Sequence, residues 1–159
     1  MTPHHISLNN LSYRVNPPIR EKSDTSFLIN AIKDDLVDAI STDHAPHSKE
    51  DKEVFAPGLI GLETSFPVCF TTLVKENGLS INKLVKMMSE NPSNMLKVKK
   101  GKIKPGYIAD LVLVDLDEKF IIGDKFYSRS SNSPFIGKEF FGKVLSTLKS
   151  GNIVYNTLK

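Results

Sequence analysis

The chain has 159 residues, with 21 basic against 18 acidic side chains for a formal charge of +3, and is 40% hydrophobic and 25% charged. That is the size of one ordinary domain, able to bury roughly 68 to 70% of its unfolded surface, and the mixture excludes a disordered or fibrous class. A charge this small and this evenly spread argues against nucleic-acid binding, no run approaches the ~18 consecutive apolar residues of a membrane span, and one cysteine allows no intramolecular disulfide. The locally basic stretch Lys97-Val98-Lys99-Lys100 with Lys102 has no aromatic interleaving and reads as a solvated loop. The N-terminus lacks a charged region followed by an apolar one, so a cytoplasmic location is expected. Cys69, within Phe66-Pro67-Val68-Cys69-Phe70, is expected to be a buried thiol.

In chain order, Phe27, Leu28, Ala31 and Ile32 recur at helical spacing and predict an amphipathic helix from Asp24 to about Lys33, with Asp24 capping its first turn. Residues 37–42 form an apolar, β-branched-rich run and predict a buried strand. The charged stretch 48–55 reads as a loop. A second helix is predicted from near Glu63 to just before Asn77-Gly78, where glycine supplies the left-handed cap. Ser80 caps a third, lined on one side by Leu84, Val85, Met87 and Met88 and stopped by Asn91-Pro92, with a short helical turn following over 93–96. Beyond Gly101 the texture becomes strand-like, over 108–114, 119–122 and 144–155, the last broken by a hairpin turn at Ser150-Gly151-Asn152.

The predicted strand 37–42 stops abruptly at Asp43-His44-Ala45-Pro46-His47, where a carboxylate and two imidazoles crowd a turn. A buried strand that delivers acid and base groups at its C-terminal end is how α/β barrels present active sites. Helix followed by strand followed by helix gives an α/β fold class. Taken alone, an aspartate after a strand is more often a turn former, and His47 and Asn16 would each be ordinary surface residues.

Several motifs in sequence order carry a resemblance to a known family. Thr2-Pro3-His4-His5, Asn16-Pro17-Pro18-Ile19-Arg20, Asp43-His44-Ala45-Pro46-His47 and Gly61-Leu62-Glu63-Thr64 are followed by Gly101-Lys102-Ile103-Lys104-Pro105-Gly106, Ala109-Asp110-Leu111-Val112, Asn132-Ser133-Pro134-Phe135 and Gly151-Asn152-Ile153-Val154-Tyr155. Over nearly its whole length the chain resembles the C-terminal part of dihydroorotases of the amidohydrolase superfamily. The resemblance implies a fold made of the last part of a metal-dependent hydrolase (β/α)8 barrel in residues 1–100 and, in residues 101–159, a β-rich tail of a small composite sandwich whose partner strands come from elsewhere. It implies the reversible interconversion of N-carbamoyl-L-aspartate and (S)-dihydroorotate in pyrimidine biosynthesis, a zinc-dependent hydrolysis of a cyclic amide.

Residue by residue, the resemblance makes Asp43 both a zinc ligand and the proton shuttle. It makes His47 and Asn16 the groups that contact the substrate carboxylate, and Pro57 and Gly58 the loop whose backbone approaches the ring. Arg20 is read as structural, His44 as a local packing or hydrogen-bonding residue, and His4 and His5 are left out of the ligand set. Hydrolytic zinc sites use about three protein ligands per ion, and the carry-over supplies Asp43 alone. The family's His-x-His pair, its carboxylate or modified lysine and its two further histidines are not in these residues, so the chain is expected to be inactive in isolation. Expected partners are a small-molecule substrate and, as possibilities left open, a second copy, a separately encoded N-terminal half-chain or aspartate carbamoyltransferase. The alternatives are a non-catalytic dihydroorotase-like remnant or structural partner of that transferase, and an allantoinase- or hydantoinase-type enzyme. The pair Ala45 and His47 speaks against allantoinase, where Ser and Cys usually stand.

Overall fold

The computed structural model describes residues 11–54 and 56–158. After a 3-10 turn at Leu11–Tyr13, helix α1 spans Lys22–Lys33. Its cap differs in detail from the expectation: Glu21 is the N-cap, and Asp24 sits at the third helical position, accepting the Glu21 amide at 3.1 Å to close a capping box. Only part of the expected stripe is covered. Ala31 is buried and Ile32 packs on the core, joined by Ile29, whereas Phe27 and Leu28 are exposed.

The run 37–42 corrects the predicted strand. No ladder forms along it among the described residues, and a strand exists only through its hydrogen-bonded neighbours. Helical residues hold it instead. Ile40 donates its amide to the Met87 carbonyl at 3.1 Å, and the Asn91 side-chain amide donates to the Asp38 carbonyl at 2.7 Å. The 48–55 stretch also differs from a plain loop, because Lys49–Glu53 is a short helix, α2. Its signal was present in the sequence as Ser48-x-x-Asp51, whose two side chains each accept the other residue's amide.

Helix α3, Ser65–Cys69, continues as wider π turns over Phe70–Glu76 and ends at Asn77 and Gly78, the latter at φ +71° as the left-handed cap requires. Ser80 caps α4, Ile81–Val85, by accepting the Lys83 amide at 3.2 Å. Pro92 does not stop the helix there. The chain passes through π turns at Lys86–Glu90 into α5, Asn91–Met95, with Pro92 in its first turn. The widened turn bonds the Asn91 amide to the Lys86 carbonyl, and a proline opening a fresh helical turn lacks only an N–H that had no partner to find. The expected 93–96 turn is thus the end of this same helix.

Phe70, Leu73, Leu79, Leu84 and Met87 form the core cluster between these helices, with Leu84 wholly inaccessible. Burying a leucine of this kind contributes about 2 kcal/mol. Cys69 packs against the cluster, and burial pushes its thiol up to about 11.

Three antiparallel strands follow in the order β1 Leu111–Ile121, β2 Glu139–Lys149 and β3 Asn152–Asn156. The two segments expected at 108–114 and 119–122 are one strand, interrupted where the register jumps between Asp115 and Lys119. Opposite that jump, Gly142 at φ +87° brings the backbone of β2 against the stacked rings of Phe66 and Phe70; a Cβ there would lie 3.0 Å from each. The Thr71 hydroxyl completes the joint, accepting the Phe141 amide at 2.9 Å. The β2–β3 hairpin turns at Ser150 and Gly151, both at positive φ as a two-residue primed turn demands. No helix among the described residues is long and apolar enough to cross a membrane.

The basic cluster is partly neutralised rather than free: Lys100 lies 2.6 Å from Asp110 and Lys102 lies 2.8 Å from Glu90. Asp110 also takes Lys149 at 2.9 Å and the Ser150 amide at 2.8 Å, so one carboxylate staples the hairpin to the 97–100 loop. These donors, the Lys100 ammonium foremost, hold its carboxyl well below the usual carboxylate range. A carboxyl depressed by folding lends stability that is fully present above its unfolded value, near ~4, and is lost as the pH falls through the folded one. The urea midpoint should therefore hold steady from about pH 7 to 5 and drop below about pH 4, with a shallower drop in Asp110→Asn. An identical acid slope in wild type and variant would contradict the staple.

Candidate functional site

The site grows from two loops laid side by side. At the end of the 37–42 run, residues 43–47 meet residues 57–59 through an isolated parallel bridge between His44 and Leu59, the Ala45 amide donating to the Leu59 carbonyl at 2.8 Å. His44 acts locally, as expected: its Nδ1 accepts the Gly61 amide at 3.1 Å and the Leu62 amide at 3.4 Å. An accepting Nδ1 leaves the proton of the neutral ring on Nε2.

Asp43 stands at the head of the first loop with left-handed backbone, φ +46°, and an exposed side chain. Among the described residues its carboxylate takes part in no hydrogen bond or ion pair. A positive φ is uncommon for a residue with a side chain, though aspartate adopts it more readily than most.

His47 is tied at three points. Its Nε2 donates to the Pro57 carbonyl at 3.0 Å, its amide donates to Asn132 Oδ1 at 3.2 Å, and its carbonyl accepts the Ser130 hydroxyl. Gly58 lies buried beneath it at φ +147°. A Cβ at this position would come within 2.6 Å of Ala45 Cβ and 2.8 Å of His47 Nε2, so only glycine allows the loops this close. Asn16 is exposed and its peptide bond to Pro17 is cis. It follows two residues after Arg14, whose carbonyl accepts the Gly58 amide at 2.9 Å. The structure thus brings Asp43, His47, Pro57 and Gly58 onto one pair of loops and runs the segment that leads to Asn16 past them. Arg20 is exposed, 3.8 Å from Asp24. His4 and His5 lie outside the described residues.

Two residues that sequence reasoning did not single out organise this arrangement. Asn132 sends its side-chain amide to the Ala45 and Gly58 carbonyls, both at 3.1 Å, while its oxygen takes the His47 amide. Both its donors and one of the two lone pairs on its oxygen are spent on the two loops. Its signal was the Asn132-Ser133-Pro134-Phe135 motif, which carried the resemblance but no role. Lys52, in the last turn of α2, is buried against backbone carbonyls.

The exposed Glu63 closes the far side, accepting the Tyr127 amide and the Ser128 amide at 2.9 Å and the Ser128 hydroxyl at 2.6 Å. Partial burial works against its charge, but the Ser128 and Tyr127 donors outweigh it and hold the carboxyl below its ordinary value. Beyond Glu63, an open cavity of about 950 Å³ lies between the sheet and the helices, bordered by Phe66, Met88, Val112, Val114 and Tyr155. It includes none of Asp43, Asn16, His47, Pro57 or Gly58.

The described residues do not by themselves make a metal centre. No three His, Cys, Asp or Glu side chains among them are grouped to hold an ion. His44 Nδ1 and His47 Nε2 are engaged, whereas His44 Nε2, His47 Nδ1 and the Asp43 carboxylate take part in no hydrogen bond among the described residues.

The profile described as "Amidohydrolase family" matches residues 4–154, and the chain belongs to that family. It is 53% identical over 158 residues to a dihydroorotase from Clostridium botulinum (strain Eklund 17B / Type B), covering 98% of this chain and 40% of the relative. It is 40% identical to a dihydroorotase from Clostridium acetobutylicum, covering 97% of this chain and 39% of that protein. Among solved structures, an L-hydantoinase (dihydropyrimidinase) from Arthrobacter aurescens superposes with a TM-score of 0.86 at 32% identity, covering 93% of this chain and 35% of the other. The chain therefore spans about 40% of the length of the relatives it matches. Its mixed helix and strand content is that of part of an α/β amidohydrolase fold.

Gly58→Ala should cost about 3 kcal/mol or more, since it adds a clash with the Ala45 and His47 side chains to the strain of positive φ. Gly78→Ala, with positive φ but no atom within 4 Å of a new Cβ, should cost only about 1 kcal/mol. Equal losses in urea unfolding would show that the loops are not in this close contact.

Proposed function

We propose that this chain corresponds to the C-terminal portion of a dihydroorotase-type enzyme that interconverts N-carbamoyl-L-aspartate and (S)-dihydroorotate in cytoplasmic pyrimidine synthesis. The observation that carries the reading is the 53% identity to a dihydroorotase across 98% of the chain. On this reading residues 1–100 are the end of a (β/α)8 barrel and residues 101–159 the tail of a composite β-sandwich. The three described strands and the exposed apolar side chains Val112, Leu113, Ile153 and Val154 on β1 and β3 fit a sheet that expects further covering.

In the hydrolytic direction water adds to the ring carbonyl, the carbon–nitrogen bond breaks and a proton reaches the leaving nitrogen. Asp43 takes the proton from the attacking water and returns it to nitrogen, a role suited to an exposed carboxylate with no described donor on it. Asn16 and His47 face the carboxylate of the ring, and the backbone at Pro57 and Gly58 lines its edge. His47 already directs Nε2 at the Pro57 carbonyl, so its other ring nitrogen is the one free to meet a ligand. Zinc belongs to this reading with Asp43 as the ligand from this chain, the others being supplied by the portion of a complete enzyme that the chain does not match. That portion is then the partner the chain requires.

The purified chain, zinc and a separately expressed N-terminal portion of the Clostridium botulinum relative should together hydrolyse dihydroorotate, with neither half active alone. Asp43→Ala should lower that turnover by about a hundredfold or more. Turnover that survives Asp43→Ala, or a mixture that opens hydantoin but not dihydroorotate, would overturn the reading.

A further inference from the structure

The Lys52 side chain is only 7% exposed. Its ammonium donates to the carbonyls of Arg14 at 3.1 Å, Ala56 at 3.1 Å and Gly58 at 3.0 Å. Three N–H groups meet three oxygens, and no carboxylate among the described residues pairs with the charge. Burial, with the Arg14 charge adding to it, lowers the pKa of the ammonium. Burying an unpaired cation is costly unless its protons find acceptors, and a neutral side chain of similar length would fill the same space at less expense. The ammonium brings something a neutral chain cannot: three donors converging from one atom.

Its consequence is directional. Because the Ala56 and Gly58 carbonyls both turn toward Lys52, the intervening Pro57 carbonyl points the other way, where it receives His47 Nε2 at 3.0 Å. The third acceptor, the Arg14 carbonyl, also takes the Gly58 amide and fixes the segment leading to Asn16. One buried cation thus holds the backbone on both sides of Pro57 and the segment that leads to Asn16.

We propose that Lys52 is a positioning residue of this site, a buried ammonium clamp that orients the Pro57 carbonyl, and through it the His47 ring, and docks the Asn16 segment on the Gly58 loop. The link to substrate rests on the dihydroorotase reading; the clamp itself does not.

The test uses nitrogen NMR on the 159-residue chain without ligand. In wild type the Lys52 ammonium protons should exchange with water at least about tenfold more slowly than those of exposed lysines such as Lys49, because each is held in a hydrogen bond. His47 should be a single Nε2-protonated tautomer. In Lys52→Met the His47 ring should become a tautomer mixture while His44, held by the Gly61 amide, stays unchanged. In the mixed enzyme the same variant should raise KM for dihydroorotate about tenfold with kcat within about threefold, the loss expected for mispositioned binding groups. Fast ammonium exchange in wild type overturns the clamp whether or not the variant folds. So does an unchanged His47 tautomer, or one that changes together with His44. A shifted tautomer with unchanged KM overturns the link to substrate. An absence of dihydroorotate turnover in the wild-type mixture counts against the dihydroorotase reading alone, since both NMR readouts proceed without ligand.

Discussion

The side chain of Asn132 holds the site together. Two loops separated from it by more than seventy residues meet on one amide, which gives its protons to the Ala45 and Gly58 carbonyls and its oxygen to the His47 amide. A half-buried amide with each of these groups paired is stable, and the same amide with one partner withdrawn leaves a desolvated donor or acceptor, so the three bonds favour forming together. Lys52 grips the Gly58 carbonyl from the other side. The loop carrying Pro57 and Gly58 is therefore fixed between an amide and an ammonium, and the position of His47 follows from it.

Much of the helical part of the fold is legible in the sequence because its signals are local. Ser80 announces a helix, Asn77-Gly78 ends one, and Leu84 and Met87 fall where a 3.6-residue period places them in the core. The hairpin at Ser150 and Gly151 is read as easily, since a primed turn has few sequences that suit it. Failures come where a neighbour decides. Residues 37–42 have the composition of a buried strand, yet a ladder depends on partners that no described residue provides. Pro92 breaks a helix in general but not directly after a π turn, and nothing local foretells that turn. The stripe on α1 is half covered for a similar reason: Phe27 and Leu28 have the right spacing but stay exposed, with no described residue covering them.

The site divides in the same way. Asp43, His47, Pro57 and Gly58 are found by resemblance, and the structure places them on adjoining loops. Asn132 and Lys52 escape because their work is done on backbone atoms far away in sequence, and a residue's effect on distant carbonyls leaves no motif around it. Nineteen large apolar side chains are exposed among the described residues, Val112, Leu113, Ile153 and Val154 on the sheet among them.

The claim that most depends on these contacts is that Asn132 is the bond between the two loops, and Asn132→Asp tests it with almost no change of shape. The variant turns two donors into a carboxylate oxygen aimed at the Ala45 and Gly58 carbonyls. Urea unfolding should show a loss of about 2 kcal/mol, and hydrogen exchange should show the His47 and Gly58 amides losing protection while the β1–β2 ladder keeps its own. Stability within about 0.5 kcal/mol of wild type, with those two amides as protected as before, would contradict the account.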